Sequence, residues 1–197
     1  FLGNVSHELK TPVFNIQGYV QTLIDGGLHD KDINMKYLKR ANRSIDRMIN
    51  IIQDLETITS LESDITILEF KKINLKRLVK DVFEHLDLKA KEKEITLCYV
   101  KKTDLKYVFA DKNKIFQVFV NLVSNSIRYG KKRGTTKVVV DSDTKSMLVN
   151  VVDDGLGIKE KYLSRLFERF YRVDKNRSRE QGGTGLGLAI VKHIIEA

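Results

Sequence analysis

Apolar residues recur with a seven-residue spacing along the first third of the chain. One run has aliphatic side chains at two positions of each heptad, namely Leu2, Leu9, Val13, Ile16, Val20 and Leu23. A second run has the same spacing, at Leu38, Ala41, Ile45, Met48, Ile52 and Leu55. Residues 25–30 between them contain two adjacent glycines, which is typical of a turn. This narrow seam predicts an antiparallel helical hairpin. Two helices cannot enclose a core alone, so we expect a homodimer in which helices 1 and 2 of both copies form a four-helix bundle.

The pattern changes near residue 63, where short β-rich runs begin to alternate with amphipathic stretches. The strand candidates are residues 68–70, 95–100, 137–141 and 147–152, with a hairpin loop at residues 142–145. Asn74 and Asp111 each precede an apolar stripe, and their side chains can cap helices that run to about residues 93 and 129. A last helix begins near Leu186. Antiparallel pairing of these strands, with helices on one face, predicts an α+β sandwich.

Composition limits the partners of the chain. The 197 residues carry a formal charge of +9, with Lys and Arg spread along the sequence and mixed with Asp and Glu. A spread excess is typical of a solvated surface, so we expect no nucleic-acid partner and favour an anionic nucleotide or an acidic protein. The single cysteine, Cys98, excludes an internal disulfide and suits a reducing cytoplasm.

Direct membrane contact is not expected for this fragment. No apolar stretch approaches the length of a membrane span, and no signal peptide opens the chain. The sequence begins at Phe1 without an initiator Met. We therefore interpret it as the cytoplasmic portion of a longer protein.

The densest chemical signal is the glycine run Gly182-Gly183-Thr184-Gly185-Leu186-Gly187-Leu188, at the start of the last predicted helix. Glycines let a ligand approach the backbone, and a helix start presents free N–H groups to phosphate. The run lacks the Lys-Ser/Thr of a P-loop and does not closely follow a strand, as a dinucleotide-binding motif would. A glycine-rich loop that binds nothing is the alternative that this motif leaves open.

Two further motifs suit a nucleotide. Asp153-Asp154-Gly155-Leu156-Gly157 ends a predicted strand, where a carboxylate can accept a hydrogen bond from an exocyclic amine and glycines admit a flat ring. Asn121 and Asn125 are four residues apart and share a helical face. Their amide oxygens suit Mg²⁺, and Arg128 could then meet the phosphates. The alternatives are a plain acidic turn and a polar helix face.

His7 differs from the other three histidines in its sequence context, Ser6-His7-Glu8-Leu9-Lys10-Thr11-Pro12. It lies one position off the heptad seam, so its imidazole should face outward. A neutral imidazole nitrogen is a competent nucleophile, and Glu8 can accept the proton of the other nitrogen. Thr11 lies one turn further along the same face, where its hydroxyl could orient a water. Taken alone, a His-Glu pair such as His7 and Glu8 is typical of a solvated helix surface without a catalytic role.

In this order, the motifs resemble the catalytic core of bacterial two-component sensor histidine kinases. The string around His7 resembles the family's H box, His-Glu-x-x-Thr-Pro. The asparagine helix, the Asp-x-Gly-x-Gly turn, Leu166-Phe167-Glu168-Arg169-Phe170-Tyr171-Arg172 and the glycine run resemble its N, G1, F and G2 boxes. The resemblance implies a dimerisation and histidine phosphotransfer domain at residues 1–64. It also implies an ATP-binding catalytic domain at residues 65–197, an α/β sandwich of the gyrase, chaperone and histidine kinase type.

The resemblance further implies roles for individual residues. His7 would be the phosphoacceptor, with Glu8 and Thr11 as catalytic neighbours, and ATP and Mg²⁺ would be the cofactors. The metal would lie on Asn125 with Asn121 beside it, and Asp153 would bind the adenine amine. The remaining contacts to the nucleotide would come from Arg128, Tyr129, Gly155, Gly157, Arg172, Gly183, Thr184, Gly185, Leu186 and Gly187. Residues 175–181 would form a short mobile lid.

The implied function is ATP-dependent autophosphorylation of His7, followed by phosphotransfer to an aspartate of a response regulator, with phosphatase activity toward that partner. The parent would be anchored in the bacterial inner membrane. In this family two further strands follow the last helix, whereas this sequence ends at Ala197, so we expect those strands to be missing. Two alternatives stay open: a non-catalytic nucleotide-binding dimeric signalling module, and a gyrase- or chaperone-like ATPase, which would leave the H box without a purpose.

Overall fold

The computed structural model describes residues 2–62, 68–143, 146–173 and 183–197. These residues belong to two compact units. The first unit comprises Phe1–Glu62 and Glu168–Leu186, and the second comprises Ser63–Phe167 and Gly187–Ala197. The first unit thus takes in a segment from late in the sequence, and a domain boundary after residue 64 stays a prediction.

Two long helices form a hairpin in the first unit. Helix α1 spans Leu2–Thr22 and continues through Pro12. A single π-helical turn, Leu23–Gly27, follows it, and helix α2 spans Asn34–Glu62. The backbone leaves helical geometry at Asp25 and Gly26, the first residues of the turn predicted at residues 25–30, and Gly26 has a φ of 112°.

The predicted heptad positions divide into two sets in the structure. The set that packs within the hairpin is buried or half-buried and comprises Leu9, Ile16, Leu23, Ala41, Met48 and Leu55. The other set is exposed and comprises Val13, Val20, Leu38, Ile45 and Ile52. The side chain of Leu2 lies outside the described residues. One hairpin therefore covers only part of its apolar surface and leaves an aliphatic stripe, formed by the second set, uncovered.

The second unit is built from alternating strands and helices. Its described elements are β1 (Phe70–Asn74), α3 (Leu75–Glu92), β2 (Thr96–Lys101), β3 (Tyr107–Asp111), α4 (Lys112–Tyr129), β4 (Thr135–Ser142), β5 (Met147–Asp153), a 3₁₀ turn (Glu160–Arg165) and α5 (Gly187–Glu196). Strand β4 is the centre of a three-stranded sheet, parallel to β2 and antiparallel to β5. Strands β1 and β3 form a separate antiparallel pair.

Side-chain caps begin both central helices of this unit, as predicted. The Asn74 side chain accepts the backbone N–H of Arg77 at the start of α3. The Asp111 side chain accepts the backbone N–H groups of Asn113 and Lys114 at the start of α4. Each cap satisfies helix donors that would otherwise lack a partner, and such a cap contributes about 1 kcal/mol.

The core of the second unit lies between these helices and the three-stranded sheet. Its fully buried members include Val79 and Val82 of α3, Val123 of α4 and Val138 of β4. Helix α5 packs against α4 and buries one apolar face, Ala189, Ile190, Val191 and Ile194. This arrangement places the first turn of α5 beside the asparagine face of α4.

Three strand predictions need correction. Pairing is not antiparallel throughout, because β2 and β4 are joined through α4, and a helical crossover permits parallel pairing. The strand expected at residues 68–70 begins only at Phe70. Its partner β3 ends at Asp111, whose carboxylate accepts the Glu69 N–H at 3.0 Å instead of continuing the ladder. Strand β3 itself was not predicted.

Candidate functional site

His7 lies on the outward face of α1, as predicted. Its side chain is 67% exposed, whereas that of Glu8 is 13% exposed. The His7 Nδ1 and Glu8 Oε1 atoms are 3.9 Å apart, which is too long for a hydrogen bond. Catalytic contacts of this kind often shorten only when the substrate is bound. The geometry gives His7 solvent access and a carboxylate close to one ring nitrogen.

The Glu8 carboxylate is held from its other oxygen by two arginines of the first unit. Arg47 of α2 donates from Nη2 to Glu8 Oε2 at 2.7 Å. Arg172 places its Nη2 3.3 Å from the same oxygen and also donates to the carbonyl of Gly183. Both arginine side chains are almost buried. Glu8 thus points Oε1 toward His7 and Oε2 toward the guanidinium groups.

Thr11 lies one turn beyond His7 on the same helix. Its hydroxyl donates a hydrogen bond to the His7 backbone carbonyl at 3.2 Å. The hydroxyl lone pairs can accept a hydrogen bond from a water on the same face. The predicted location of Thr11 is confirmed, and its role stays a prediction.

The asparagine motif lies on α4 in the second unit. Asn121 is half-buried, and its Nδ2 group has no hydrogen-bond partner among the described residues. A Cβ added to Gly187, the first residue of α5, would lie 3.5 Å from Asn121 Oδ1. Asn125 is half-buried one turn later on α4. The Asn121 amide and the N-terminal end of α5 therefore lie next to each other.

The Asp153 turn lies at the end of β5, also in the second unit. Asp153 Oδ1 accepts the Gly155 N–H at 2.8 Å. A Cβ on Gly155 would lie 2.5 Å from the carbonyl oxygen of Tyr129, so only glycine fits between the turn and the end of α4. Gly157 has a φ of 65°, a conformation that favours glycine. The turn is thus packed against Tyr129, one of the residues predicted to contact the nucleotide.

Asp154, the neighbour of Asp153, has a structural contact instead. Its Oδ2 accepts the backbone N–H of Thr135 at 3.0 Å. A Cβ on Gly134 would lie 2.4 Å from Asp154 Oδ1, so this carboxylate fills the space beside that glycine. The Asp154 carboxylate thus supports the start of β4, whereas the Asp153 carboxylate holds its own turn at Gly155.

Within the glycine run, Gly183 to Leu186 belong to the first unit, and Gly187 and Leu188 begin α5 in the second unit. Thr184 donates its hydroxyl hydrogen bond to Asp54 of α2 at 2.7 Å. Gly185 has a φ of 79°, and its carbonyl accepts the N–H of Phe170 at 2.8 Å. Leu186 is fully buried. Gly182 and the predicted lid at residues 175–181 lie outside the described residues.

The groups of the second unit fit a nucleotide with its metal ion. The buried Asn121 Nδ2 can donate a hydrogen bond, and the first turn of α5 offers backbone N–H groups to a phosphate. Mg²⁺ retains several waters and needs only one or two protein oxygens, which Asn121 and Asn125 can supply. Across the described ranges, no group of three or more His, Cys, Asp or Glu side chains could hold a metal.

Two contact residues of the first unit, Arg47 and Asp54, were missed in the sequence. They are seven residues apart and lie on the inner face of α2, which also carries the buried Ile51 and Ile58. A signal was present, because charged residues on an otherwise buried stripe require partners. The predicted heptad positions do not include Ile51 or Ile58, so this buried face of α2 was not predicted.

Two family descriptions match the chain. Residues 1–64 match the His Kinase A (phospho-acceptor) domain. Residues 110–197 match the histidine kinase-, DNA gyrase B-, and HSP90-like ATPase family. The chain belongs to the sensor histidine kinases, of whose catalytic core it contains both parts.

Curated relatives match along the whole chain. The sensor histidine kinase WalK of Bacillus subtilis (strain 168) is 34% identical over 199 residues, which cover 100% of this chain and 32% of the relative. The sensor protein kinase WalK of Staphylococcus aureus is 33% identical over 199 residues, which cover 100% of this chain and 48% of the relative. The chain thus spans only a third to a half of the length of these relatives.

Solved structures agree with the fold. The Acinetobacter baumannii histidine kinase AdeS is 26% identical, with a TM-score of 0.75 over 96% of this chain and 86% of that chain. Histidine kinase ThkA, solved in complex with the response regulator protein TrrA, is 25% identical with a TM-score of 0.75, over 87% of this chain and 50% of that chain. The predicted fold class, a helical hairpin followed by an α/β ATPase domain, is confirmed. No helix in the described part of the chain has the length and apolarity that crossing a membrane requires.

Proposed function

We propose that this chain transfers the γ-phosphoryl group of ATP to His7 and then to an aspartate of a response regulator. The observation that supports this best is the exposed His7 imidazole with the Glu8 carboxylate 3.9 Å from its Nδ1, within a phospho-acceptor domain. The ATPase family match at residues 110–197 supports ATP as the phosphoryl donor.

The chemistry required of the first unit is modest. The Nε2 lone pair of a neutral His7 forms the N–P bond as the bond from phosphorus to the leaving oxygen breaks. The imidazole gains positive charge in that step, and the Glu8 carboxylate accepts or shares the Nδ1 proton. In the second step the N–P bond breaks and an aspartate oxygen of the partner takes the phosphoryl group. ATP would supply the phosphoryl group, and a Mg²⁺ ion held by Asn125 and Asn121 would supply positive charge beside it.

The second unit would hold the nucleotide. Asn125 and Asn121 would bind Mg²⁺, and Asp153 would accept a hydrogen bond from the adenine amine. The unpartnered Asn121 Nδ2 and the turn of Asp153 against Tyr129 support this assignment. The other proposed contacts from this unit are Arg128, Tyr129, Gly155, Gly157 and Gly187. For Arg172, Gly183, Thr184, Gly185 and Leu186, which belong to the first unit, a nucleotide contact stays a prediction from the sequence. With this role, residues 65–197 would be the catalytic domain and residues 1–64 the phosphotransfer domain.

The active form would be a homodimer through α1 and α2. The support is the uncovered aliphatic stripe of the hairpin, whose residues continue the heptad spacing of the buried set. A second copy of the same stripe would cover it and complete a four-helix bundle.

A response regulator receiver domain would be the protein partner, with dephosphorylation of that partner as an accompanying activity. The complex of ThkA with the response regulator TrrA supports a partner of this class. The curated relatives are named as sensors and are longer than this chain, which supports a longer parent protein. We infer that the parent is anchored in the inner membrane with this portion in the cytoplasm.

The proposal is tested by incubating the protein with γ-labelled ATP and Mg²⁺. We expect a label on the protein that is labile in acid and stable in base, as a phosphoramidate is. His7→Ala should abolish the label and leave the nucleotide affinity within a few-fold of the parent. The matched control is His29→Ala, which removes an exposed histidine outside the H box and outside the nucleotide motifs. This variant should retain the label.

Two outcomes would reject the proposal. Nucleotide binding without any label would favour the non-catalytic signalling module. ATP hydrolysis without a protein label, unaffected by His7→Ala, would favour a gyrase- or chaperone-like ATPase.

A further inference from the structure

We propose that Arg47 is a positioning residue for the phosphoacceptor, acting through Glu8. This inference rests on the proposed function, because it assigns Glu8 the role of proton acceptor for His7. Arg47 lies on α2 and belongs to none of the motifs around His7 or the nucleotide. Its contact with Glu8 joins two residues 39 positions apart.

The two oxygens of the Glu8 carboxylate have different neighbours. Oε2 accepts a hydrogen bond of 2.7 Å from Arg47 Nη2, while Oε1 is 3.9 Å from His7 Nδ1. A carboxylate is planar, so fixing one oxygen limits where the other can point. The Arg47 contact therefore directs Oε1 toward the imidazole.

This orientation of Glu8 is held by an ion pair that is almost buried. The side chains of Arg47 and Glu8 are only 12% and 13% exposed. A charge-assisted hydrogen bond at this depth is shorter and stronger than a neutral one and is little screened by salt. A surface pair of the same type would contribute almost nothing.

Arg47 differs from Arg172, the other cation at Glu8, in the contacts that fix its position. Arg172 is 3.3 Å from Oε2 and also donates to the Gly183 carbonyl, so its position depends on the glycine motif. Arg47 extends from the helix that packs against α1, and its contact depends on the hairpin alone. We assign the permanent orientation of Glu8 to Arg47.

The position of Glu8 Oε1 determines which tautomer of the His7 imidazole is favoured. Which imidazole nitrogen carries the proton is set by the hydrogen bond that the other groups offer. With Oε1 directed at Nδ1, the proton is favoured on Nδ1, which leaves Nε2 as the nucleophile. Without Arg47, Glu8 can rotate toward Arg172 and this preference weakens.

The primary measurement is the His7 tautomer by ¹⁵N NMR of the imidazole, without nucleotide. The His7 signals are assigned by comparison with His7→Ala, since the chain has four histidines. We expect the Nδ1–H tautomer to dominate in the parent and to lose its dominance in Arg47→Gln. Arg43→Gln, one turn away on α2 and exposed, is the matched control and should retain the tautomer of the parent.

The second measurement is autophosphorylation at saturating ATP. Arg47→Gln should lower kcat at least tenfold and leave KM for ATP within about twofold. In a Glu8→Gln background, the same substitution should change kcat less than twofold, because Arg47 acts through Glu8. Arg47→Lys, which keeps the charge and loses the planar fork, should lie between the parent and Arg47→Gln in both measurements.

Several results would overturn the assignment. One is an unchanged tautomer together with a kcat equal to that of Arg43→Gln. Another is a tenfold further loss in the Glu8→Gln background. If Arg47→Gln does not fold, Arg47→Lys decides, and parent values in both of its measurements reject the role. Because the tautomer is read without ATP, absence of autokinase activity in the parent would reject the proposed function and leave this comparison valid.

Discussion

The hydroxyl of Thr184 donates a hydrogen bond of 2.7 Å to the carboxylate of Asp54. Thr184 belongs to the glycine motif and Asp54 to α2, so residues 130 positions apart meet within the first unit. The same hydroxyl accepts the backbone N–H of Leu186 at 3.2 Å. Thr184 is 9% exposed, so little water competes for either bond. One hydroxyl thus connects the glycine motif both to α2 and to its own turn.

Replacing Thr184 by Val should destabilise the first unit. Val keeps the shape of the side chain and removes the hydroxyl, and a hydrogen bond to a charged group contributes about 1.5–3 kcal/mol. We expect the thermal midpoint to fall by several degrees. The matched control is Thr59→Val, which removes a hydroxyl that donates to the Leu55 carbonyl on the exposed side of α2. Equal midpoints for the two variants would contradict the importance of the Thr184 contact.

The metal assignment predicts a large effect for Asn125→Ala. Loss of a metal ligand removes an electrostatic clamp on the transferring phosphoryl group, so autophosphorylation should fall by at least about a hundredfold. Asn113→Ala is the matched control, because Asn113 is an exposed asparagine on the first turn of the same helix. The rates are compared across a Mg²⁺ titration. If Asn125→Ala has a rate near that of the parent at saturating Mg²⁺, Asn125 is not the metal ligand.

The uncovered stripe of the hairpin predicts a dimer that a single charge can disrupt. Ile45 is 44% exposed in one copy and would be buried against a second copy. A buried unpaired charge costs several kcal/mol, so Ile45→Asp should give a monomer or an unfolded hairpin. Leu88→Asp is the control, since Leu88 is 77% exposed on α3 of the second unit and should leave the dimer intact. Light scattering at micromolar concentration reads the mass, and a monomeric parent would contradict the assembly.

Local sequence signals were enough for part of this structure. Asn74 and Asp111 correctly predict the starts of α3 and α4, because a cap needs only one polar side chain before an apolar stripe. The string around His7 and the Asp153 turn are equally local. The fold class and the candidate residues therefore followed from short segments and their order.

The sequence did not predict which residues that are distant along the chain contact each other. The contacts of Arg47 with Glu8 and of Asp54 with Thr184 join distant positions, and no local pattern states which charged residue meets which. The parallel pairing of β2 with β4 has the same cause, since it depends on which strands become neighbours in space. The heptad spacing was found, but the fully buried Ile51 and Ile58 lie outside the predicted positions, and which of the predicted positions stay exposed depends on how the two helices turn toward each other.

The Asp111 cap predicts acid sensitivity of the second unit. Burial alone would raise the pKa of Asp111, but the backbone N–H groups of Lys114, Glu69 and Asn113 outweigh it and lower the pKa. The ionised carboxylate is therefore favoured by folding. Its stabilisation is present above the unfolded pKa of about 3.9 and is lost as the pH falls through the lower folded value.

Asp111→Asn tests this sign, because Asn still caps a helix but does not titrate. Thermal midpoints of the parent and the variant are compared from pH 7 to pH 2.5. We expect the parent to be the more stable at pH 7 and the difference to shrink below about pH 4. Asp87→Asn is the control, since Asp87 makes a surface pair with Lys91 and should show little such change. A difference that stays constant with pH would reject the titration of Asp111 as its cause.

Thr11 separates the two opposed reactions that share His7. Autophosphorylation needs a nucleophile, a proton acceptor and a positioned nucleotide, and Thr11 provides none of these. Dephosphorylation of the partner needs a water held in line with the aspartyl phosphate. The Thr11 hydroxyl donates to the His7 carbonyl at 3.2 Å, which fixes its oxygen on the face of His7 with lone pairs free to accept from a water.

Thr11→Ala should therefore keep most of the autokinase and transfer activity and lose most of any phosphatase activity toward the response regulator. Thr22→Ala is the matched control, because Thr22 makes the same type of bond on α1, to the Gly18 carbonyl at 2.8 Å, far from His7. If Thr11 only shapes the helix ahead of Pro12, both activities should fall together or neither should change. Measuring both rates on one purified preparation distinguishes these cases, since only a water-orienting hydroxyl lowers one rate and spares the other. A phosphatase rate equal to that of the parent would end the proposal.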